Sequence, residues 1–349
     1  MDERLIDLIN IHKSFGSSEV LCDINLYIRK NEFLTLLGPS GCGKTTTLRI
    51  IGGFESLTSG ELLFEGKDIS RLPPHMRKVN TVFQKYALFT HMNVKENVAF
   101  GLTIKKADKK TINSKVGAML ELVNLSGFEK RSINSLSGGQ QQRVAIARAL
   151  AADPAMLLLD EPLGALDLKE RRRMQVELKN LQRQLGITFL YVTHDQDEAL
   201  AVSDIIAVMN NGMIQQIDTP ENIYNEPKNS FVADFIGESN IIDGVMSKDY
   251  KVLFSNVLFD CLDGGFAANE PVDVVIRPED IVAVPVDEGQ LKGTVEDVTF
   301  KGVHYLMRII SDNDGYVWKV KSTKMLPVGT SASLDIGPDA IHVMKRATA

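Results

Sequence analysis

The sequence predicts an α/β domain built on a parallel sheet, with an antiparallel β layer and a helical subdomain, followed by a small all-β domain. Short apolar runs alternate with helical stretches, which is typical of strands buried on both faces of a parallel sheet. Residues 90–150 carry apolar side chains at helical spacing. Near residue 218 a segment rich in Pro and Asn leads into short strands separated by turns, so we expect domains at 1–235 and 236–349.

The first elements of the α/β domain are visible in the apolar pattern. Residues 1–30 alternate loosely between apolar and polar side chains and predict the strands of the antiparallel layer. "FLTLL" (33–37) predicts a buried strand, and "KTTTLRIIGG" (44–53) predicts a helix that ends in glycines. Further along, helical spacing is shown by Ile112, Val116, Leu120 and Val123.

The later elements are predicted in the same way. "MLLLD" (156–160) and "TFLYVTH" (188–194) are short apolar runs that predict two more buried strands. Residues 230–235 predict a short helix within the linker. "DNDG" (312–315) is a strong turn signal in the all-β domain. In the strand that follows it, one face would be shared by Tyr316, Trp318 and Val320.

The composition is that of a globular protein in a reducing compartment. The 349 residues are 44% hydrophobic and 24% charged, and no apolar run approaches the roughly 20 residues that cross a bilayer. The start, "MDERLIDLIN", lacks the charge pattern of a signal peptide, so we expect a cytoplasmic protein that reaches a membrane through a partner. Cys22, Cys42 and Cys261 form no C-x-x-C pair, which argues against a disulfide framework or a zinc site.

The net charge of −6 disfavours nucleic acid as a partner. From Asn240 onward 16 acidic residues outnumber 11 basic ones, and neither domain offers the basic surface that binds a phosphate backbone. The basic run "ERRRM" (170–174) is a candidate nucleic-acid contact. A solvated helix face is the favoured alternative, because helical spacing continues downstream at Leu178, Leu181 and Leu185.

A phosphate-binding loop is predicted at "GPSGCGKTT" (38–46). Gly38, Gly43, Lys44 and Thr45 match the pattern G-x-x-x-x-G-K-[ST] between a predicted strand and a predicted helix. Glycines let backbone N–H groups surround phosphates, the lysine reaches the β- and γ-phosphates, and the threonine hydroxyl ligates Mg²⁺. A glycine turn before a core helix is the plain alternative, and binding of a nucleoside triphosphate is favoured over it.

Cys42 lies inside this loop, where N–H dipoles favour the thiolate. A small packing residue is an equal alternative for this position. Alkylation of a reactive Cys42 would inactivate the protein, and bound ATP would protect it.

Four polar residues outside the loop are candidates for catalysis. Asp160 and Glu161 end a predicted strand, where Asp160 is suited to hold Mg²⁺ and Glu161 to orient or deprotonate an attacking water. The first turn of a helix, which also favours acids, is the alternative. His194 ends the next buried strand, which we expect near the strand of the phosphate loop. Gln84 has no signal of its own above that of a surface glutamine.

A second glycine-bearing loop opens into a helix at "NSLSGGQQQRVAIARAL" (134–150). This signature loop, the phosphate loop, the Gln84 segment, "MLLLDEP", "GALD" and "VTHD" have the order and spacing of an ABC-transporter ATPase, which residues 1–235 closely resemble. An amphipathic helix with a glycine N-cap is the alternative for the second loop alone. The resemblance implies a head-to-tail dimer in which each ATP lies between the phosphate loop of one copy and the signature loop of the other.

The resemblance also implies roles for individual residues. Glu161, His194 and Gln84 would be catalytic, and Mg²⁺ would be held by Thr45, Gln84 and Asp160. The ATP would be bound by Phe15, Gly38, Pro39, Ser40, Gly41, Cys42, Gly43, Lys44, Thr45, Thr46, Ser137, Gly138, Gly139, Gln140 and Asp167. By the same resemblance, Phe15 would stack on adenine, His194 would touch the γ-phosphate and Asp167 would cross the dimer interface.

Partners are implied as well. The residues after Gln84 would form a groove for a helix of a membrane subunit, although this chain has "LFTH" (88–91) where the family often has "LFPH". The proline that usually precedes the signature loop is also missing. Two integral-membrane permease subunits and, indirectly, an extracytoplasmic solute-binding protein would complete the transporter. The chain would then lie at the cytoplasmic face of the membrane.

The all-β domain narrows the choice of substrate. "VVIRPEDI" (274–281) resembles the OB-like regulatory domain of bacterial importers for sugars, iron, sulfate and polyamines. "DFIGESNIIDGVM" (234–246) and "VEDVTFKGVHYLMRI" (295–309) are most similar to the ATPases that import spermidine and putrescine. An importer of sugar or iron(III) is the alternative. A soluble ABC ATPase outside transport and a metabolite kinase are less favoured, because the chain has one cassette without a coiled-coil insertion and a kinase has no use for the signature loop.

Overall fold

The computed structural model describes residues 3–164, 166–286 and 288–346. The chain divides into two compact units, of which the first ends at Pro220 and the second begins at Glu221. In the part of the chain that is described, none of the helices is both long enough and apolar enough to cross a membrane.

The first unit contains ten strands and six α-helices within the described residues. The strands are β1 (Arg4–Phe15), β2 (Ser18–Arg29), β3 (Phe33–Leu37), β4 (Ser59–Phe64), β5 (Lys67–Asp68), β6 (Val79–Val82), β7 (Met156–Asp160), β8 (Thr188–Thr193), β9 (Ile205–Asn210) and β10 (Met213–Asp218). The helices are α1 (Lys44–Gly52), α2 (Val94–Ile104), α3 (Lys109–Leu122), α4 (Gly138–Leu150), α5 (Leu168–Leu185) and α6 (Gln196–Val202).

A six-stranded sheet in the order β10-β9-β3-β8-β7-β6 forms the middle of this unit. Its strands run parallel except for β10, which pairs antiparallel with β9. Every residue of β3 and β8 is buried, as their continuous apolar runs predict. Because parallel strands end at the same edge of a sheet, the residues that follow β3, β7 and β8 come together there. The predicted parallel α/β architecture is confirmed.

The two faces of this sheet are covered by different layers. On one face, an antiparallel sheet in the order β2-β1-β4-β5 packs with α1 around an apolar cluster that includes Ile24, Leu36 and Ile51. On the other face, α2–α5 pack around a cluster that includes Leu120 and Leu159. The antiparallel layer and the helical subdomain are therefore both present, and each covers an apolar face of the central sheet.

The second unit is dominated by two five-stranded antiparallel sheets, in the orders β13-β12-β11-β14-β20 and β15-β19-β16-β17-β18. Their bounds, with two short helices before them, are α7 (Pro220–Asn225), α8 (Ser230–Phe235), β11 (Asn240–Lys248), β12 (Lys251–Phe254), β13 (Val257–Asp260), β14 (Glu270–Ile276), β15 (Ile281–Val284), β16 (Leu291–Phe300), β17 (Tyr305–Ser311), β18 (Val317–Ser322), β19 (Ser331–Ile336) and β20 (His342–Lys345). Trp318 and Val320 are fully buried between the sheets, and Tyr316 packs on the Trp318 ring with centroids 5.0 Å apart. The prediction that Tyr316, Trp318 and Val320 share one face is confirmed.

The linker helices belong with the second unit. Ala233 of α8 packs in a small buried cluster with Val275 and Met344. The buried Arg277 guanidinium donates hydrogen bonds to the carbonyl oxygens of Ala233 and Ile236, at 3.1 and 2.7 Å. The sequence placed the domain boundary after residue 235, whereas these contacts group residues 221–235 with the all-β unit. A short segment rich in Pro and Asn does not reveal which core its few apolar side chains join.

Candidate active site

The phosphate loop connects β3 to α1, as predicted, and two of its glycines have no room for a side chain. A Cβ at Gly38 would lie 2.2 Å from the carbonyl oxygen of Met209. At Gly43, φ is +102° and a Cβ would lie 2.5 Å from Leu21 Cδ2. These positions therefore require glycine for close packing and, at Gly43, for the left-handed backbone as well.

The Lys44 ammonium is buried inside this loop. Its Nζ donates hydrogen bonds to the carbonyl oxygens of Gly38 and Pro39, at 2.7 and 2.8 Å. The Cys42 Sγ lies 3.7 Å from the same Nζ, and Cys42 is buried in the apolar cluster beneath the loop. The loop thus holds a positive charge at its centre, and Cys42 also fills space there as a packing residue would.

Thr45 and Asp160 bring two oxygen ligands together at the edge of the loop. The Thr45 hydroxyl donates to Asp160 Oδ1 at 3.0 Å. Burial raises the pKa of Asp160, the hydrogen bond from Thr45 opposes that rise, and the negative charge of Glu161 adds to it. A partly buried carboxylate beside a hydroxyl and a second carboxylate is stabilised by a nearby cation, and hydroxyl and carboxylate oxygens are ligands that Mg²⁺ prefers. The residues present therefore fit the predicted magnesium site.

Glu161 is held by the two other predicted catalytic residues. Gln84 Nε2 donates to Glu161 Oε2 at 3.0 Å, and His194 Nδ1 lies 3.2 Å from Oε1. Glu161 has a φ of +43°, which is rare and strained for a residue with a side chain. Its backbone N–H donates to the carbonyl oxygen of Val192 in β8 at 3.0 Å. The structure thus gathers Gln84, Glu161 and His194 into one hydrogen-bonded set beside the Thr45–Asp160 pair.

Phe15 lies beside this site on the antiparallel layer. Its side chain is 49% exposed and helps to line a cleft of about 260 Å³ together with Thr45, Thr46 and Arg49. Lys13 Nζ lies 4.6 Å from the centroid of the Phe15 ring, which holds the ring in place through a cation–π contact. An exposed aromatic ring next to a phosphate loop is suited to stack on a base.

The signature loop forms the N-terminus of α4. Ser137 caps this helix: its hydroxyl accepts from the Gln140 N–H at 3.3 Å, and Gln140 Oε1 accepts from the Ser137 N–H at 3.0 Å. Ser137 and Gly138 are exposed, whereas Gly139 is buried against Glu170. Among residues 3–164, 166–286 and 288–346, no recorded hydrogen bond joins this loop to the phosphate loop. Because Ser137 and Gly138 are exposed, the N-terminus of α4 faces solvent.

Asp167 caps the next helix, α5. It accepts a hydrogen bond from the Glu170 N–H at 2.9 Å and is exposed. Its position at a dimer interface stays a prediction. A residue at such an interface has to be exposed in the single chain, and Asp167 is.

Arg171 was missed by sequence reasoning, which assigned its basic run to a solvated helix face. In the structure Arg171 Nη1 pairs with Asp195 Oδ2 at 3.0 Å, and its Nε lies 3.6 Å from Glu198 Oε1. Arg173, two residues further on, is exposed as expected and pairs with Glu177 on the same helix. The acids that directly follow His194 in "HDQDEA" were the available signal, but a sequence does not show which cation they meet.

Arg148 was missed as well. Tyr86 and Ala87, just after Gln84, have left-handed backbones with φ of +59° and +46°. Arg148 of α4 donates to both carbonyl oxygens, at 2.9 and 2.8 Å. The signature helix therefore fixes the shape of the loop that carries Gln84. Nothing in the residue types predicts this bend, because Tyr and Ala rarely adopt such a backbone.

Comparison with known proteins agrees with this geometry. Residues 21–164 match the family model described as ABC transporter, and residues 274–344 match the TOBE domain. The chain is 63% identical over 346 residues to a protein of Desulfitobacterium hafniense, and 62% identical over 346 residues to one of Clostridium novyi. Both alignments cover 99% of each chain, and both relatives are named spermidine/putrescine import ATP-binding protein.

Solved structures agree with the first unit. The chain is similar to cbiO1 of Clostridium perfringens, part of an ABC transporter complex, with a TM-score of 0.61, 29% identity, and coverage of 65% of this chain and 92% of that one. A bacterial ABC transporter cassette solved as a dimer gives a TM-score of 0.56 and 33% identity, with coverage of 62% and 99%.

Proposed function

The chain belongs to the family of ABC-transporter ATP-binding subunits, and we propose that it hydrolyses ATP to energise the import of spermidine and putrescine. The observation that carries the ATPase activity is the set of Gln84, Glu161 and His194 beside the phosphate loop. The observation that carries the substrate class is the identity of 63% over 99% of the chain to an import ATP-binding protein for these polyamines.

The chemistry follows from the positions of the side chains. The N–H groups of the phosphate loop and Lys44 bind the β- and γ-phosphates, and the Phe15 ring stacks on the base. Glu161 accepts a proton from the attacking water or orients that water, while Gln84 and His194 hold its carboxylate in place. Thr45 and Asp160, with Gln84, would hold Mg²⁺, which neutralises charge on the phosphates when it is bound.

The site is completed by a second copy of the chain. The exposed Ser137 and Gly138 and the helix N-terminus behind them form an anion site that is separate from the phosphate loop of their own chain. In a head-to-tail dimer this signature loop binds the γ-phosphate held by Lys44 of the other copy. A cassette of similar fold that is solved as a dimer supports this arrangement.

Mixing two defective chains tests the shared site. In a Glu161→Gln background, a Lys44→Ala chain and a Ser137→Arg chain each lack one half of every site, so neither alone should trap ATP. Their mixture contains dimers with one complete site and should trap about one ATP per mixed dimer. A mixture that traps no more ATP than its components would contradict the shared site.

The other partners follow from the proposed role. Two integral-membrane permease subunits receive the motion of the dimer, through the loop after Gln84 that Arg148 shapes. A solute-binding protein delivers the polyamine on the outer side of the membrane. The chain then works at the cytoplasmic face of the membrane, which fits the absence of a membrane-spanning helix from the described residues.

Uptake in cells tests the substrate. Cells that lack this gene should recover uptake of labelled spermidine and putrescine with the wild-type chain and fail to recover it with Lys44→Ala. Maltose and iron(III) uptake are the controls, because importers of sugar and iron are the alternative. Unimpaired polyamine uptake in the deleted strain would remove the substrate assignment. In a separate assay of the purified protein, a phosphorylated small-molecule product would show that the chain is a kinase and not a transport ATPase.

A further inference from the structure

Arg171 connects the segment that carries His194 to the loop that precedes α5. Its Nη1 pairs with Asp195 Oδ2 at 3.0 Å, and its Nη2 donates to the carbonyl oxygen of Leu166 at 3.4 Å. Its Nε is buried and makes no hydrogen bond with any described residue, although Glu198 Oε1 lies 3.6 Å away. One guanidinium therefore spans two acids on the residues that follow His194 and a carbonyl just before α5.

The two acids are themselves built into the end of β8. The Glu198 carboxylate is buried and accepts from the Tyr191 hydroxyl at 2.7 Å and from the Thr193 hydroxyl at 2.8 Å. Asp195 caps α6 by accepting from the Glu198 N–H at 3.1 Å, and its own N–H donates to Thr193 Oγ1 at 3.0 Å. His194 thus lies between residues that are fixed on both sides by this network.

The network borders the catalytic carboxylate directly. A small cavity of about 60 Å³ is lined by Glu161, Arg171, His194 and Glu198, among others. His194 itself is more than half exposed, with 57% of its side chain accessible, so its own packing holds it weakly. The position of its ring relative to Glu161 therefore depends on the backbone of the residues beside it.

We propose that Arg171 is a positioning residue for ATP hydrolysis: by pairing with Asp195 and Glu198, it fixes the backbone that presents His194 to Glu161. The inference rests on the proposed function, since it assigns Arg171 a task in the same reaction. A buried carboxylate that loses its cation relaxes or recruits another partner. A displacement of about 1 Å at a reacting group can lower a rate by roughly 100-fold. The phosphate loop lies outside this network, so the affinity for ATP should change little.

The test uses the purified full-length chain with ATP and Mg²⁺. Arg171→Met keeps most of the side chain's length and removes its charge, and kcat should fall about 10- to 100-fold while the affinity for ATP stays within about twofold. Arg173→Met is the matched control, because Arg173 lies on the same helix and forms an exposed pair with Glu177; its kcat should equal that of wild type. Arg171→Lys, with one ammonium for two acids, should give an intermediate kcat.

A double-mutant cycle separates positioning from general destabilisation. In an Asp195→Asn, Glu198→Gln background the acids no longer need a cation, so adding Arg171→Met should change kcat by less than about twofold. A full additional loss in that background would overturn the proposal, as would a wild-type kcat for Arg171→Met. If Arg171→Met does not fold, a wild-type kcat for Arg171→Lys would overturn it instead. Failure of the proposed function would be distinct, because the wild-type chain itself would then release no phosphate from ATP.

Discussion

Replacing Gly139 by alanine tests how the signature helix packs on α5. A Cβ at Gly139 would lie 2.1 Å from Glu170 Oε1, whereas ordinary contacts begin at 3.4 Å, so the Glu170 side chain would have to retreat by about 1.3 Å. Gly138, the neighbouring glycine, is the matched control because its Cβ would meet its nearest atom, Leu166 Cδ2, at 3.6 Å. Both glycines lie in the first turn of α4.

The two substitutions should therefore differ in their effect on stability. Alanine in a helix is favoured over glycine by about 0.5–1 kcal/mol, so Gly138→Ala should raise the free energy of unfolding by up to that amount. At Gly139 the same gain is opposed by a clash with Glu170, but the atoms that must move are the flexible end of a half-buried side chain, so the cost should lie near the low end of the roughly 1–3 kcal/mol typical of overpacking. We expect Gly139→Ala to be less stable than Gly138→Ala by about 1 kcal/mol. In a Glu170→Ala background the clash is absent, and the difference should fall below about 0.5 kcal/mol.

The assay is urea unfolding followed by far-ultraviolet circular dichroism. The sole tryptophan of the chain, Trp318, lies in the second unit, so its fluorescence does not report on α4. Equal stabilities of Gly138→Ala and Gly139→Ala would refute the packing of Glu170 on Gly139. A difference that persists without the Glu170 carboxylate would show that another contact excludes the side chain.

Asp160, Cys42 and Arg277 are each suited to a test by substitution. Because burial raises the pKa of Asp160, its ionisation destabilises the folded protein at any pH above the folded pKa. This penalty shrinks as the pH falls through the raised folded pKa and vanishes below the unfolded pKa of about 4. Asp160→Asn should therefore melt above wild type at pH 7 without Mg²⁺ and converge with it near pH 4, and equal melting at pH 7 would contradict this. Alkylation of Cys42 should inactivate ATP hydrolysis slowly, because this thiol is buried, and bound ATP should block the reaction. The Cys42→Ser variant should keep its activity under the same treatment. Loss of its activity on alkylation would point to another thiol. Arg277→Met leaves several carbonyl oxygens without their donor, so it should lower the free energy of unfolding of the second unit by about 2–4 kcal/mol. The measurement is Trp318 fluorescence in urea. An unchanged unfolding midpoint would show that water replaces the guanidinium.

The sequence revealed those parts of the fold that depend on local pattern. The runs at 33–37, 156–160 and 188–194 are mostly apolar because both faces of a central parallel strand are buried, so the strands could be located from sequence alone. The phosphate loop was visible because glycine, lysine and threonine each have a distinct task at a fixed spacing. Glu161 and His194 were predicted as site residues because they follow such strands.

The rest depends on contacts between distant segments. Arg171 and Arg173 look alike in "ERRRM", yet Arg171 meets acids from α6 and Arg173 faces solvent. The left-handed backbone of Glu161 is imposed by its surroundings, since Glu has no preference for it. Likewise, the linker helices join the second unit through Arg277, which lies about 40 residues further along the chain.

In the proposed function, Glu161 drives hydrolysis of an ATP held between two copies of the chain. The most direct measurement combines sedimentation and phosphate release for Glu161→Gln in the presence of ATP and Mg²⁺. Since this variant keeps the phosphate and signature loops but lacks the carboxylate, it should sediment as a dimer and release phosphate at least about 100-fold more slowly than wild type. A variant that binds ATP yet sediments as a monomer would contradict the shared site, and one that releases phosphate at the wild-type rate would contradict the role of Glu161.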